Sequence, residues 1–455
     1  MDLGERGRLD VLDLVIMAAV SASALAFYLA FLSKSPLVYG VDGPYYLVQV
    51  RQIERTGTLK YGDPPLAFYV FYALSALLSN RVMGVKIGTA LSAALAVLPA
   101  YCLLKLELKG RLPPALGSLA LAFSPHLLRL SCDFLKNLMG STFLLASLYF
   151  FARSLRTGSN RSLAASSVFL LLAGLTHSLA FAVNLALLTS YAALEALLGR
   201  SCASRALGKL ALALVVPVST ALIGLMAFPR FFSDILKGEA FLEELLSGEP
   251  SPFLLLSPMT NLAFGLSCAG LVLGLKGARE RESWASLVLA SSLLGIALTL
   301  PLIPREWAWR FALMGFLPVS TAVASLARGT GDKLLSIALA IAVMTPLLAQ
   351  TAVGAMVWGP RISKVEYSDL LAMSELVPPG SVVIAPNLAI GYWAEYLFDC
   401  DLARKPDPEL FTRYQHVLLL LRADMRPPPI PKELLYEGEA LVLFELFPRR
   451  PPGQV

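Results

Sequence analysis

Residues 41–66 read VDGPYYLVQVRQIERTGTLKYGDPPL. The stretch follows almost directly on an apolar run, Val11–Leu32, that is long enough to cross a bilayer. Paired tyrosines, two arginines, a lysine, acids and a Pro-Pro pair crowd the short space after a greasy helix. Such a segment belongs at a membrane surface, where polar side chains meet water and an apolar run ends.

The rest of the chain fits that setting. Of 455 residues, 56% are hydrophobic and 15% charged, against about 25% charged in ordinary soluble chains. Apolar runs near 20 residues recur, which predicts a polytopic α-helical membrane protein. The net charge of +6 is therefore a topology signal, and no nucleic-acid partner is indicated. Five scattered cysteines without C-x-x-C spacing indicate neither a disulfide framework nor a zinc site. Asn and Gln are scarce, as in thermophilic proteins. The first run is too long for a signal-peptide core. It is expected to stay as an uncleaved span, although Ala-Leu-Ala at 24–26 imitates a cleavage site.

Eleven spans are expected, at about 11–32, 87–104, 113–130, 138–153, 162–176, 179–198, 207–228, 258–275, 283–301, 309–327 and 334–357. PLAFYVFYALSALLSN (65–80) is short and begins with Pro. The positive-inside rule decides its fate. Alternate loops hold 14 Lys and Arg, from Lys105 to Lys333, whereas the intervening loops hold six. The basic set and the N-terminus (Arg6, Arg8) share the cytoplasmic side only if 65–80 does not cross. It is therefore read as interfacial. On this topology the first external loop (33–86), a lid-like loop (229–257) and the C-terminus are all extracytoplasmic. The transmembrane catalytic domain is expected over 1–358, and a small extracytoplasmic α/β domain over 359–455. That domain should contain a helix near 366–377 and strands at 381–386, 416–421 and 440–446.

Chemistry-bearing residues gather on the same side. Asp42 precedes an amphipathic helix, where it is either an N-cap or a general base. Tyr45, Tyr46, Arg51 and Lys60 follow it. Asp133 stands in LRLSCDFLKNLMG, either paired locally with Arg129 or Lys136 or used in catalysis. Lys136 and Asn137 beside it suit an anion. His177 sits at a hairpin tip, as a cap or a substrate contact. In PREWAWRFALMGFLP (304–318), Arg305 and Arg310 are five apart, so they do not share a helix face. One reading is an aromatic belt with snorkelling arginines. The other is a guanidinium clamp on a lipid-linked phosphate. Lys86 and Arg81 are rival phosphate ligands.

The Asp after the first span, the tyrosines and PPLAFY resemble the first external loop of GT-C membrane glycosyltransferases. That superfamily includes protein O-mannosyltransferases, lipid A aminoarabinose transferases and oligosaccharyltransferase catalytic subunits. In the aminoarabinose transferases a Lys-Pro-Pro-Leu motif stands where this chain has Asp63-Pro64-Pro65-Leu66, with Lys60 the nearest substitute. The second loop acid of the superfamily maps onto Asp133. GYWAEY (391–396) stands in a region similar to the one where oligosaccharyltransferases carry Trp-Trp-Asp-Tyr-Gly, and that motif is absent.

The resemblance implies a GT-C-like fold and a hexosyltransferase or mannosyltransferase type of activity. It implies an inverting transfer from a polyprenyl- (dolichyl-) phosphate-linked sugar donor to a glycan, lipid or protein acceptor. Asp42 would act as base, with Asp133 orienting the acceptor or helping to hold a divalent cation such as Mg2+ or Mn2+. Two acids alone make an incomplete cage for such an ion, so the cofactor is unassigned. The competing readings are a lipid transporter or flippase, which calls for internal repeats, and a lipid-linked phosphate transferase, which calls for a nucleophile and a His-containing metal cluster.

Overall fold

The computed structural model describes residues 9–232, 243–244, 246–247, 257–300, 303–328 and 333–448, with the side chains of Phe232, Arg305, Glu306 and Lys333 outside the description. Most of the lid-like loop 229–257 lies outside the described residues. The chain divides into two units. One takes Met1–Lys34, Tyr61–Val70 and Lys86–Val357; the other takes Ser35–Lys60, Phe71–Val85 and Trp358–Val455. The second unit thus unites the C-terminal stretch with two pieces of the segment 33–86.

The helices in chain order are α1 (Val11–Leu32), α2 (Gly43–Thr56), α3 (Leu66–Leu78), α4 (Arg81–Leu108), α5 (Leu112–Ala122), α6 (Pro125–Asp133), α7 (Leu135–Thr157), α8 (Asn160–Thr176), α9 (Ser178–Leu197), α10 (Ala203–Ala227) and α11 (Pro229–Phe232). After the loop come α12 (Pro258–Arg279), α13 (Ala285–Thr299), α14 (Arg305–Ala312), α15 (Phe316–Arg328), α16 (Lys333–Val357), α17 (Lys364–Met373), α18 (Leu388–Phe398) and α19 (Leu410–Arg413). Among the described residues, eight helical segments are long and apolar enough to cross a membrane. This bears out a mostly helical membrane protein without fixing eleven crossings. The segments expected at 162–176 and 283–301 are helices of 17 and 15 residues. At 13 residues α3 extends about 20 Å, short of a hydrocarbon core of about 30 Å.

One expected span is corrected. Residues 113–130 form two helices, α5 and α6, that break at Phe123-Ser124. The residue before a proline avoids the helical region. Ser124 accordingly takes an extended conformation and its Oγ accepts the Leu127 N–H at 3.1 Å, capping α6 behind Pro125.

Helices of the first unit approach closely where side chains are small. A Cβ on Gly117 would lie 2.6 Å from Leu104 Cδ1 and 2.8 Å from Ala324 Cβ, so only glycine lets α5 pack there. Ala120, Ala263, Leu266, Val319, Ala322, Val323, Met344 and Leu347 form a core shared by α5, α12, α15 and α16. Polar ties close the helix ends. Arg156 reaches Glu195 at 2.5 Å and Glu107 at 2.8 Å, and donates to the Tyr191 hydroxyl and the Ser283 carbonyl. Lys105 pairs with Asp13 at 2.8 Å and Arg328 with Glu282 at 2.8 Å. Lys105, Arg156 and Arg328 belong to the basic loops from which the topology was read, so some of that charge also joins helices.

In the second unit, β1 (Ser381–Ile384), β2 (Asp401–Ala403), β3 (His416–Arg422), β4 (Lys432–Glu437) and β5 (Leu441–Leu446) form one sheet in the order β2-β1-β3-β5-β4. β1 runs parallel to β2 and β3, while β5 is antiparallel to β3 and β4. The central strand β3 is the near-continuous apolar run HVLLLLR, as a strand covered on both faces requires. Val382, Ile384, Val417, Leu419, Leu421 and Leu446 make the core of one face.

Truncating Arg156 would leave the buried carboxylates of Glu107 and Glu195 without their shared cation. Arg156→Ala is therefore expected to destabilise the first unit by about 3–5 kcal/mol. Thermal unfolding in detergent, with Arg161→Ala as a surface control, should show a drop confined to Arg156→Ala. Equal melting temperatures would contradict this role.

Candidate active site

In the second unit the quoted segment is fastened to the C-terminal piece residue by residue. Gly40 donates its N–H to the Gly359 carbonyl at 3.2 Å. Its φ of 73° is one that glycine adopts without strain. Asp42 occupies the N-cap position of α2 but makes no side-chain capping bond, and Pro44 fills the first turn. The cap reading is thus met in position and not in hydrogen bonding. α2 then packs along α18. Tyr45 lies 5.3 Å from Tyr392, ring to ring, and Tyr46 packs edge-on against Phe71 at 5.6 Å. Burial and then the nearby charge of Asp42 raise the pKa of Tyr392. Asp42 and Tyr392 of GYWAEY are therefore neighbours.

Two cations complete the fastening. Arg51 donates to the Tyr396 carbonyl at 2.5 Å and the Glu395 carbonyl at 3.2 Å, and pairs with Asp399 at 3.0 Å. These are the carbonyls that the end of α18 would otherwise leave unsatisfied. Lys60 reaches Glu395 at 2.7 Å, Asp401 at 2.8 Å and the Cys400 carbonyl at 2.9 Å. Glu395 is fully buried and Lys60 is 20% exposed. Gln49 is buried too, donating to the Tyr45 hydroxyl and accepting the Lys60 N–H, both at 2.9 Å. The sequence offered Arg51 and Lys60 as substrate ligands. The structure shows them engaged in holding α2 to α18.

In the first unit a second group of expected residues comes together. Asp133 ends α6 and pairs with Arg129 one turn earlier at 2.5 Å, the local pairing that the sequence allowed. Phe134, just beyond it, packs on Trp309 with ring centroids 4.9 Å apart. Arg310 lies over Trp309 and Trp307 at 5.6 and 5.8 Å. The loop around Asp133 and the PREWAWR segment therefore meet. The side chain of Arg305 lies outside the described residues. Lys136 pairs with Asp63 and sits 5.9 Å over the Phe68 ring. The acid that replaces the first residue of the Lys-Pro-Pro-Leu pattern is thus matched by a lysine from α7. Asn137 and Lys86 are buried. His177 is the N-cap of α9, its Nδ1 accepting the Leu179 N–H at 3.0 Å. Among the described residues no group of three or more His, Cys, Asp or Glu is arranged to hold a metal ion.

Known proteins resemble this chain in both sequence and fold. Residues 62–223, which include Asp63, Asp133 and Lys136, match the family model described as dolichyl-phosphate-mannose-protein mannosyltransferase. ArnT from Cupriavidus metallidurans, solved bound to undecaprenyl phosphate, is similar at a TM-score of 0.63 and 13% identity, over 95% of this chain and 97% of that one. Archaeal oligosaccharyltransferase AglB from Archaeoglobus fulgidus, solved with an inhibitory peptide and a dolichol-phosphate, is similar at 0.61 and 14% identity, over 89% of this chain and 69% of that one.

The chain shares the fold of ArnT and AglB.

The family match over residues 62–223 and the shared fold agree with the membrane glycosyltransferase class expected from the sequence. A further Archaeoglobus fulgidus oligosaccharyltransferase structure, a complex with Zn and sulfate, is similar at 0.58 and 14% identity over 84% of this chain, which spans 62% of its length. No curated protein sequence matches.

The Lys60 cluster has a defined pH window. Burial opposes the Lys60 ammonium, but Glu395 and Asp401 outweigh it and raise its pKa. Burial also opposes the Asp401 carboxylate, but hydrogen bonds from Lys60 and Tyr414 outweigh it and lower its pKa. Stabilisation from Lys60 is complete below the ordinary lysine value and lost as pH rises through the raised one. Stabilisation from Asp401 is complete above the ordinary carboxylate value and lost as pH falls through the lowered one. The melting-temperature gap between wild type and Lys60→Met should stay level from about pH 5 to 9 and shrink below about pH 4. A gap of constant size down to low pH would contradict the assignment.

Proposed function

We propose that this chain moves a sugar from a polyprenyl-phosphate carrier to a hydroxyl-bearing acceptor on the extracytoplasmic face, inverting the anomeric centre. The observation that carries the reading is the mannosyltransferase family match over residues 62–223 on a fold whose solved examples hold undecaprenyl phosphate and dolichol-phosphate. A polyprenyl tail calls for lipid-facing helices, and a sugar phosphate calls for polar side chains at the interface.

The chemistry follows from the residues. An acceptor hydroxyl is a weak nucleophile. As its oxygen bonds to the anomeric carbon, the bond from that carbon to the phosphate oxygen breaks, and the carrier phosphate leaves with the electron pair. The hydroxyl proton must go to a base, and Asp42 is assigned that role. Attack from the face opposite the phosphate inverts the centre. Negative charge grows on the leaving phosphate, and cations stabilise it electrostatically. Lys86, Lys136, Arg305 and Arg310 are the cations assigned to it. Asn137 and His177 are assigned to the sugar, and Tyr45 and Tyr46 to the acceptor side. Asp133 is assigned to orienting the substrates. The fastening of α2 to α18 supports the base assignment, because a general base must be held in place to act.

Asp42→Asn should keep the fold and lower kcat for transfer from radiolabelled polyprenyl-phosphate mannose by about 10²–10⁴-fold, the range of general-base contributions. Asp133→Asn should also lower transfer. Full activity in both variants, at unchanged melting temperature, would remove the proposal.

A further inference from the structure

Twelve residues along α2 from Asp42, roughly 18 Å at the helical rise, the second unit holds a cavity of about 610 Å³. Its size lies within the roughly 300–1,000 Å³ of small-molecule sites. The walls include Glu54, Tyr72, Ser75, Asn80, Arg81 and Tyr396, contributed by α2, α3, α4 and α18. Arg81 Nε donates to Glu54 Oε2 at 2.7 Å.

The cavity wall is braced. Asn80 accepts the Met83 N–H at 3.0 Å through its side chain and donates its own N–H to the Ser75 carbonyl at 3.1 Å. Ser75 Oγ donates to the Phe71 carbonyl at 2.7 Å. A Cβ on Gly84 would come within 2.5 Å of Ser75 Cα, so α3 and α4 meet at a contact that only glycine permits. A site of fixed shape loses little entropy when a ligand enters.

The chemistry of the lining selects the ligand class. Arg81 and Glu54 cancel each other's charge, so a phosphate at Arg81 would face the Glu54 carboxylate. An uncharged polyol meets no such penalty, because each hydroxyl both donates and accepts. It can bridge a guanidinium and a carboxylate at once. Tyr72 and Tyr396 line the cavity, and tyrosine combines an apolar ring, suited to the C–H face of a sugar, with a polar tip.

We infer that this cavity is a saccharide-binding site that holds uncharged sugar units of an acceptor glycan, remote from the hydroxyl that reacts. This rests on the proposed sugar-transfer activity for its biological role. Binding at a distance from the reacting centre is a way to position an acceptor.

The test measures binding without a donor, so its failure is separable from a failure of transfer. Saturation-transfer NMR on the full chain in detergent would use mannotriose and maltotriose as probes. At least one should bind the wild type. Tyr72→Ala should weaken it by about tenfold, equivalent to ~1.4 kcal/mol. Ala76→Trp, which fills the cavity from an exposed position on α3, should abolish it at unchanged melting temperature. Absence of binding by both sugars, unchanged binding in both variants, or displacement of the sugar by a lower concentration of glycerol phosphate would each overturn the proposal.

Discussion

A buried carboxylate is costly for a fold unless it is paired, and Lys60 pairs with the fully buried Glu395 at 2.7 Å. Lys60 comes from the segment after the first apolar helix, Glu395 from a helix 335 positions later. Their salt bridge ties the loop to the C-terminal helix, and Lys60 adds Asp401 and the Cys400 carbonyl just beyond it. Arg51 adds the carbonyls at the end of α18, and the Tyr45–Tyr392 contact sets the start of α2. The position of Asp42 follows from these ties. A residue that stands in a surface loop by sequence is held to a sheet-backed helix in three dimensions. The C-terminal piece therefore has a structural task that its small size alone would not suggest.

The first unit solves a different problem. Its helices are largely apolar outside and in, so hydrophobicity alone sets few of their contacts. Small residues such as Gly117 fix how closely helices approach, and ion pairs at the helix ends fix which ones meet. The same logic operates at Asp63 and Lys136. A Pro-Pro turn presents an acid, and the first turn of α7 supplies the lysine that matches it.

Much of this was legible in the sequence, and the rest was hidden for identifiable reasons. Apolar runs near bilayer length read as helices because length and polarity are local properties. The short α3 was legible for the same reason. The Ser124-Pro125 break had a local signal, a proline in an apolar run, but the continuity of the hydrophobic stretch outweighed it. Strands β1, β3 and β5 were apolar enough to find. β2 has only three residues and β4 is a polar edge strand, so neither carries a periodic signal. Candidate site residues were found by their oddity among apolar neighbours, which does not tell a structural ion from a chemical one. Arg51 and Lys60 were singled out for that reason, and their partners lie hundreds of positions away, where no spacing rule reaches. His177 and Asp133 had local alternatives as cap and i,i+4 pair, and both local contacts are present.

The placement of α2 depends most on Lys60 and Glu395 acting as a unit. A double-mutant cycle with Lys60→Met and Glu395→Gln, read by chemical unfolding in detergent, measures this directly. The double variant should be more stable than the sum of the single losses implies, with a coupling of at least about 1 kcal/mol. Strictly additive losses would show that the two charges do not depend on each other and would contradict this.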